Sequence, residues 1–219
     1  MKNLFVVTHP ESVHHVEHLV GGWYDTALTS NGRAAAKLLA ERLSSLVGAQ
    51  QTEIYSSDLL RCSQTADILA ERLDGPIVQT SDLREISYGV AEGKPQAWLD
   101  AHQTAAPDDN RLDHRGGIEN AETRREFANR IYRATNMIVA RPCNNQIIVT
   151  HGFALTFVVA AWIKMPIDAA GYVNFASKPG SITHLQQDQF WKSRTVRTLG
   201  DVAHFADGGD GIGRVSRAD

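Results

Sequence analysis

Two apolar runs in this chain close on the same pair of residues. Leu4–Val7 runs into Thr8-His9-Pro10, and Ile147–Val149 runs into Thr150-His151-Gly152. A short, continuous apolar run bounded by breakers reads as a strand buried on both faces. Such a sheet needs helices on both sides, and the intervening sequence supplies them. From Asn31 to Val47, Ala35, Leu38, Leu39, Leu43 and Leu46 recur at helical spacing behind a cap at Thr29, Ser30 or Asn31. Leu59 to Leu73 repeats the pattern, with Asp58 or Ser57 as its cap. Further helices are expected from about Ala121 to Ala140 and from Phe153 to Ile163. Glu53–Ser56 and Ile77-Val78 read as strands, and Ser181–Leu185 with Trp191–Leu199 as a closing hairpin.

Strands alternating with helices predict an α/β fold with a mostly parallel sheet flanked by helices on both faces. The expected organisation is one domain over residues 1–206 and a flexible Gly-rich tail over 207–219. Residues 87–120, broken by Gly89, Gly93, Pro95, Pro107, Gly116 and Gly117, read as a small cap insert.

Bulk properties narrow the function. The 219 residues carry a formal net charge of −3, so no basic footprint for nucleic acid is present. The longest apolar stretch, Phe153 to Ile163, is too short to span a bilayer. Leu4–Val7 is too short for a secretory leader. Two cysteines, Cys62 and Cys143, give no disulfide framework, and a reducing, cytoplasmic setting is expected.

In open α/β sheets, ligands sit beyond the carboxyl ends of the strands. His9 and His151 both stand there, and two imidazoles in one pocket suit nucleophilic attack and anion binding. Taken singly, a histidine at a strand end is more often a satisfied polar residue. Arg61, early in a helix that follows a strand, is a ready phosphate clamp; its bland reading is a solvated surface residue. Glu85, on a loop ahead of the 87–120 segment, suits a general acid, and its bland reading is a carboxylate paired with Arg84. His14 and His18, four apart near His9, Glu11 and Glu17, raise a metal site. The Pro10 and Gly21-Gly22 breakers favour a solvated loop instead, and no metal or other cofactor is expected.

VTHPES, GGWYDTALTSNGR (21–33), YSSDLLRCSQTA (55–66), LREISYGVAEG (83–93), VTHGFA (149–154) and GSITHL (180–185), in that order, resemble the histidine phosphatase, or phosphoglycerate mutase-like, superfamily. The resemblance covers nearly the whole chain to about His204. It implies phosphoryl transfer to His9, with Glu85 protonating the leaving group and His151 contacting phosphate. Arg61, Thr8, His15 and Gly152 fall in the phosphate-binding set. The implied enzyme is a metal-independent phosphatase acting on a small phosphorylated metabolite. Mutase-type transfer is the runner-up, followed by a catalytically impaired phospholigand-binding protein. Oligomeric state stays open, a homodimer included.

Two departures stand out. The family's Arg-His-Gly is Thr8-His9-Pro10 here, and His15 stands where an asparagine is usual. Threonine offers one neutral hydroxyl and no bidentate fork. One expectation is compensation by imidazolium at His14, His15 or His18, with activity rising below the reference histidine pKa of about 6.5.

Overall fold

The computed structural model describes residues 1–208. Its strands are β1 (Lys2–Thr8), β2 (Thr52–Ser57), β3 (Ile77–Thr80), β4 (Asn145–Thr150), β5 (Ile182–Gln187) and β6 (Arg194–Asp201). Its helices are α1 (Val13–Val16), α2 (Ser30–Val47), α3 (Leu60–Leu73), α4 (Gln96–His102), α5 (Arg124–Ala140), α6 (Gly152–Trp162) and α7 (Ile167–Ala170). One six-stranded sheet runs in the order β3-β2-β4-β1-β5-β6. β3, β2, β4 and β1 are parallel, while β5 and β6 join antiparallel at one edge.

Alternation along each strand sorts the core into two layers. Leu4 and Val6, with Tyr55 and Ile148, face α5 and α6. Phe5 and Val7, with Ile54, Ile147 and Val149, face α2 and α3. α6 is buried at every position from Ala154 to Trp162, so it carries no polar face. Among the described residues, no helix is long and apolar enough to cross a membrane.

Several local expectations shift, each for a tertiary reason. α3 starts without a side-chain cap of its own. Asp58 is taken by Arg84 in a two-pronged contact of 2.7 and 2.6 Å, and Asp25 instead accepts the Leu60 N–H at 2.7 Å. α5 starts at Arg124, because Thr123 and Glu126 form a capping box there. The 10–30 stretch is not all loop: α1 makes one helical turn in it. Residues 87–120 hold α4 and a small apolar cluster in which Leu99 and Ile118 pack with Val20. From residue 209 onward, the expected tail lies outside the described residues.

The register of β1 on β4 decides where the site falls. Thr8 pairs with Thr150, so the two histidines that follow leave the sheet side by side.

Candidate active site

His9 and His151 have ring centroids 5.1 Å apart, set edge to face, and both are buried. The His9 Nδ1 lies 2.8 Å from the Pro10 carbonyl oxygen. A carbonyl only accepts, so Nδ1 carries the proton and Nε2 a lone pair. Arg61 supports the same tautomer, since its Nε–H donates to His9 Nε2 at 3.2 Å. The guanidinium is fixed behind by the carbonyls of Tyr24 (2.9 Å) and Gly22 (2.7 Å). The left-handed turn at Gly22, φ 55°, presents that second carbonyl. Among the described residues Arg61 has no carboxylate partner, and this leaves its charge to the pocket. On the other side, His151 Nε2 lies 2.9 Å from the Ser57 hydroxyl, with Cys62 Sγ at 3.5 Å.

Glu85 is not paired with Arg84. Its carboxylate accepts the backbone N–H of Ile86 (3.0 Å) and of Phe153 (2.9 Å), in the first turn of α6. The segment carrying it is clamped. Arg130 donates to the carbonyls of Asp82, Arg84 and Glu85 and pairs with Glu122 at 2.7 Å. Glu122 in turn accepts the Ser87 N–H at 2.9 Å, and Trp23 Nε1 donates to the Glu85 carbonyl at 2.8 Å. Sequence reasoning missed Arg130. Its signal was a charge on the buried stripe of α5, beside Phe127, Ile131 and Ala134.

The histidine loop folds inward. His15 stacks on His9 with centroids 5.3 Å apart, and His14 lies 4.2 Å from His15. His14 is buried, its Nδ1 2.8 Å from the Thr26 hydroxyl. The reading of a solvated loop is therefore corrected for His14 and His15. His18 lies past the end of α1, exposed and at φ 54°, so it shares no face with His14. Gly152 opens α6, where backbone N–H groups point out of the helix.

Thr8 departs from its expected place in the phosphate-binding set. Its hydroxyl donates to the Lys178 carbonyl at 2.7 Å and accepts the Ser181 N–H at 3.1 Å. The side chain is committed to the loop before β5.

Protonation follows from burial. Desolvation, then the charge of Arg61, holds both His9 and His151 well below the ordinary 6.5. Desolvation, then the His15 ring and Arg61, pulls His14 down to about 3, and desolvation, then Arg61, pulls His15 to about 4. Burial thus disfavours the expected imidazolium at His14 and His15 just below pH 6.5. Glu85 moves the opposite way: burial raises its pKa against the pull of its two N–H donors and two arginines. A neutral imidazole at His9 and a carboxyl at Glu85 that tends to hold its proton make a pairing suited to acid-assisted transfer.

A parallel-sheet protein with paired histidines, a fixed arginine and a buried glutamate beyond its strand ends is of the histidine phosphatase or mutase type. The chain belongs to the histidine phosphatase superfamily (branch 1), whose sequence profile matches residues 4–198. It is 31% identical to a probable phosphoglycerate mutase GpmB of Proteus mirabilis (strain HI4320), covering 94% of this chain and 96% of that one. Bacillus stearothermophilus YhfR superposes with a TM-score of 0.77 at 30% identity, over 93% of this chain and 99% of that one. A mycobacterial glucosyl-3-phosphoglycerate phosphatase in complex with VO3 gives a TM-score of 0.75 at 25% identity, over 92% and 100%.

Proposed function

We propose that the protein hydrolyses a small phosphorylated metabolite through a phosphohistidine on His9, without a metal ion. One observation carries this reading: the unprotonated Nε2 of His9 faces Arg61 at 3.2 Å in the pocket it shares with His151. In the first step Nε2 attacks phosphorus, the ester P–O bond breaks, and Glu85 gives its proton to the departing oxygen. In the second, water passes a proton to the Glu85 carboxylate and attacks phosphorus. The N–P bond then breaks and phosphate leaves.

Arg61, His15, His151 and the Gly152 backbone hold the phosphoryl oxygens. Thr8 only fixes the strand end. Residues 87–120 act as a cap. The alcohol occupies a cavity of about 460 Å³ that Tyr88, Leu99, His114, Arg124 and Phe153 help to line. No arginine stands beside His9 on β1, and losing a transition-state arginine costs on the order of 10³–10⁵ in rate in other phosphoryl-transfer enzymes. Slow turnover is expected. Two cysteines free of disulfides suit a cytoplasmic setting.

The test is hydrolysis of p-nitrophenyl phosphate from pH 4.5 to 8 with EDTA present, for the native protein and His9→Ala. Metal-independent turnover that disappears in His9→Ala supports the route. Absence of turnover at every pH, with inorganic phosphate still bound, would leave a phospholigand-binding protein. Mutase-type transfer is the second reading, favoured by the name of the Proteus relative. It predicts that a phosphoglycerate is isomerised faster than inorganic phosphate is released.

A further inference from the structure

We infer that His9, His14 and His15 form a binding site for a late first-row divalent metal, of which Zn²⁺ is the type, and that filling it blocks the nucleophile. One ring nitrogen from each of the three lies within 4.8 Å of the other two. Zn–N bonds of about 2.0–2.1 Å put tetrahedral ligand atoms roughly 3.4 Å apart. Small side-chain rotations close that difference, and His15, only half-buried on the one-turn helix α1, has room to make them.

The chemistry of the donors selects the ion. An all-imidazole set suits Zn, Cu or Ni and is poor for Mg or Ca, which want oxygen. Two of the rings carry the outer contacts that orient metal-bound histidines. His9 Nδ1 is held by the Pro10 carbonyl, and His14 Nδ1 by the hydroxyls of Thr26 (2.8 Å) and Ser12 (3.1 Å). Both contacts leave Nε2 as the ligand. The strand end contributes no cation, because Thr8 stands there and turns its hydroxyl away.

Arg61 sets the cost. A metal on His9 Nε2 must displace the Arg61 N–H now 3.2 Å away, and the guanidinium opposes the added charge. It also takes the lone pair that attack on phosphorus would use, so metal and phosphoryl group exclude each other. Only this inhibitory consequence rests on the hydrolysis reading; metal binding itself does not.

The experiment is titration calorimetry of the full chain with Zn²⁺ in buffer free of phosphate and chelator. Native protein is compared with His14→Leu, Thr26→Ala and the exposed neighbour His18→Leu. The expected result is one site per chain, unchanged in His18→Leu and weakened more than ~100-fold in His14→Leu, since losing a ligand exceeds the ~10–100-fold typical of an outer partner. Thr26→Ala keeps all three rings and is expected to fall in that ~10–100-fold range. It decides the matter should His14→Leu fail to fold. Co²⁺ in place of Zn²⁺ should give the strong visible bands of a four-coordinate ion with no thiolate charge-transfer band. Equal affinity in native, His14→Leu and Thr26→Ala proteins overturns the proposal. So does a thiolate band, which would move the metal to a cysteine. Activity enters neither arm, so an inactive protein leaves the binding result intact.

Discussion

The two Thr-His strand ends are identical as dipeptides and paired in register, yet they do different work. At β1 the histidine is followed by proline, whose carbonyl holds Nδ1–H and leaves Nε2 bare toward Arg61. At β4 the histidine is followed by the first turn of α6 and leans on Ser57 and Cys62. The threonines diverge as well. Thr8 ties β1 to the loop before β5, whereas the Thr150 hydroxyl donates to the Leu83 carbonyl at 2.8 Å. Glu85 therefore arrives attached to the β4 half, through Leu83 and the Phe153 N–H. His9 and Glu85, the proposed nucleophile and acid, belong to separately held halves of one pocket.

The sharpest way to break the comparison is to remove each ring in turn. His9→Ala should abolish turnover, while His151→Ala should lower kcat by ~10²–10³, the usual cost of one lost donor to developing charge. Equal losses in single-turnover assays would refute the division of roles.

The acid half can be loosened alone. Arg130→Ala removes the clamp on the 82–85 carbonyls and strands Glu122. Hydrolysis of an alkyl phosphate, which needs a proton, should fall by ~10²–10⁴. p-Nitrophenyl phosphate, whose leaving group needs none, should fall far less. Parallel losses on both substrates would mean that the clamp serves folding only.

The two hydroxyls give a smaller contrast. Thr8→Val leaves the buried Ser181 hydroxyl without its 3.2 Å partner, while the Ser181 N–H still reaches the Lys178 carbonyl at 3.0 Å, and should cost ~1–3 kcal/mol in denaturant unfolding. Thr150→Val strands the Leu83 carbonyl in the same way and should cost about as much.

The last prediction concerns pH. Unfolded histidines bind protons below about 6.5, whereas His14 and His15 resist until about 3 and 4. Between pH 6.5 and 4 the unfolded chain thus holds more protons, so stability should fall as pH falls. Each kcal/mol should lower Tm by ~2–4 °C. His14→Leu, if folded, should flatten that slope.

Much of this was legible in the sequence because it is local. Apolar runs stopped by breakers locate β1 and β4, and the strand-end rule then gives His9 and His151. Arg61 and Glu85 rest on the resemblance carried by the six motifs, since each alone has a bland reading. What stayed hidden depends on distant chain. The Thr8 hydroxyl meets residues 178–181, and the α3 cap comes from Asp25. The burial of His14 depends on Thr26 and on Gly21, where a Cβ would come within 2.8 Å of the His14 ring. No pattern around residues 9–18 encodes those contacts. The pairing of Glu122 with Arg130 had a local trace, a charge on an apolar stripe, but its target could not be read from the helix.

The sheet order has a consequence for how the molecule is made. β1 (Lys2–Thr8) lies between β4 and β5, which follow it far along the chain and begin at Asn145 and Ile182. On a ribosome it emerges well before either neighbour and waits longest to find both. Such distant pairings fold slowly and leave edges exposed meanwhile. Until β5 is synthesised, the strand that ends on His9 is an open, apolar edge, a natural hold for a chaperone and the place where aggregation of incomplete chains should begin.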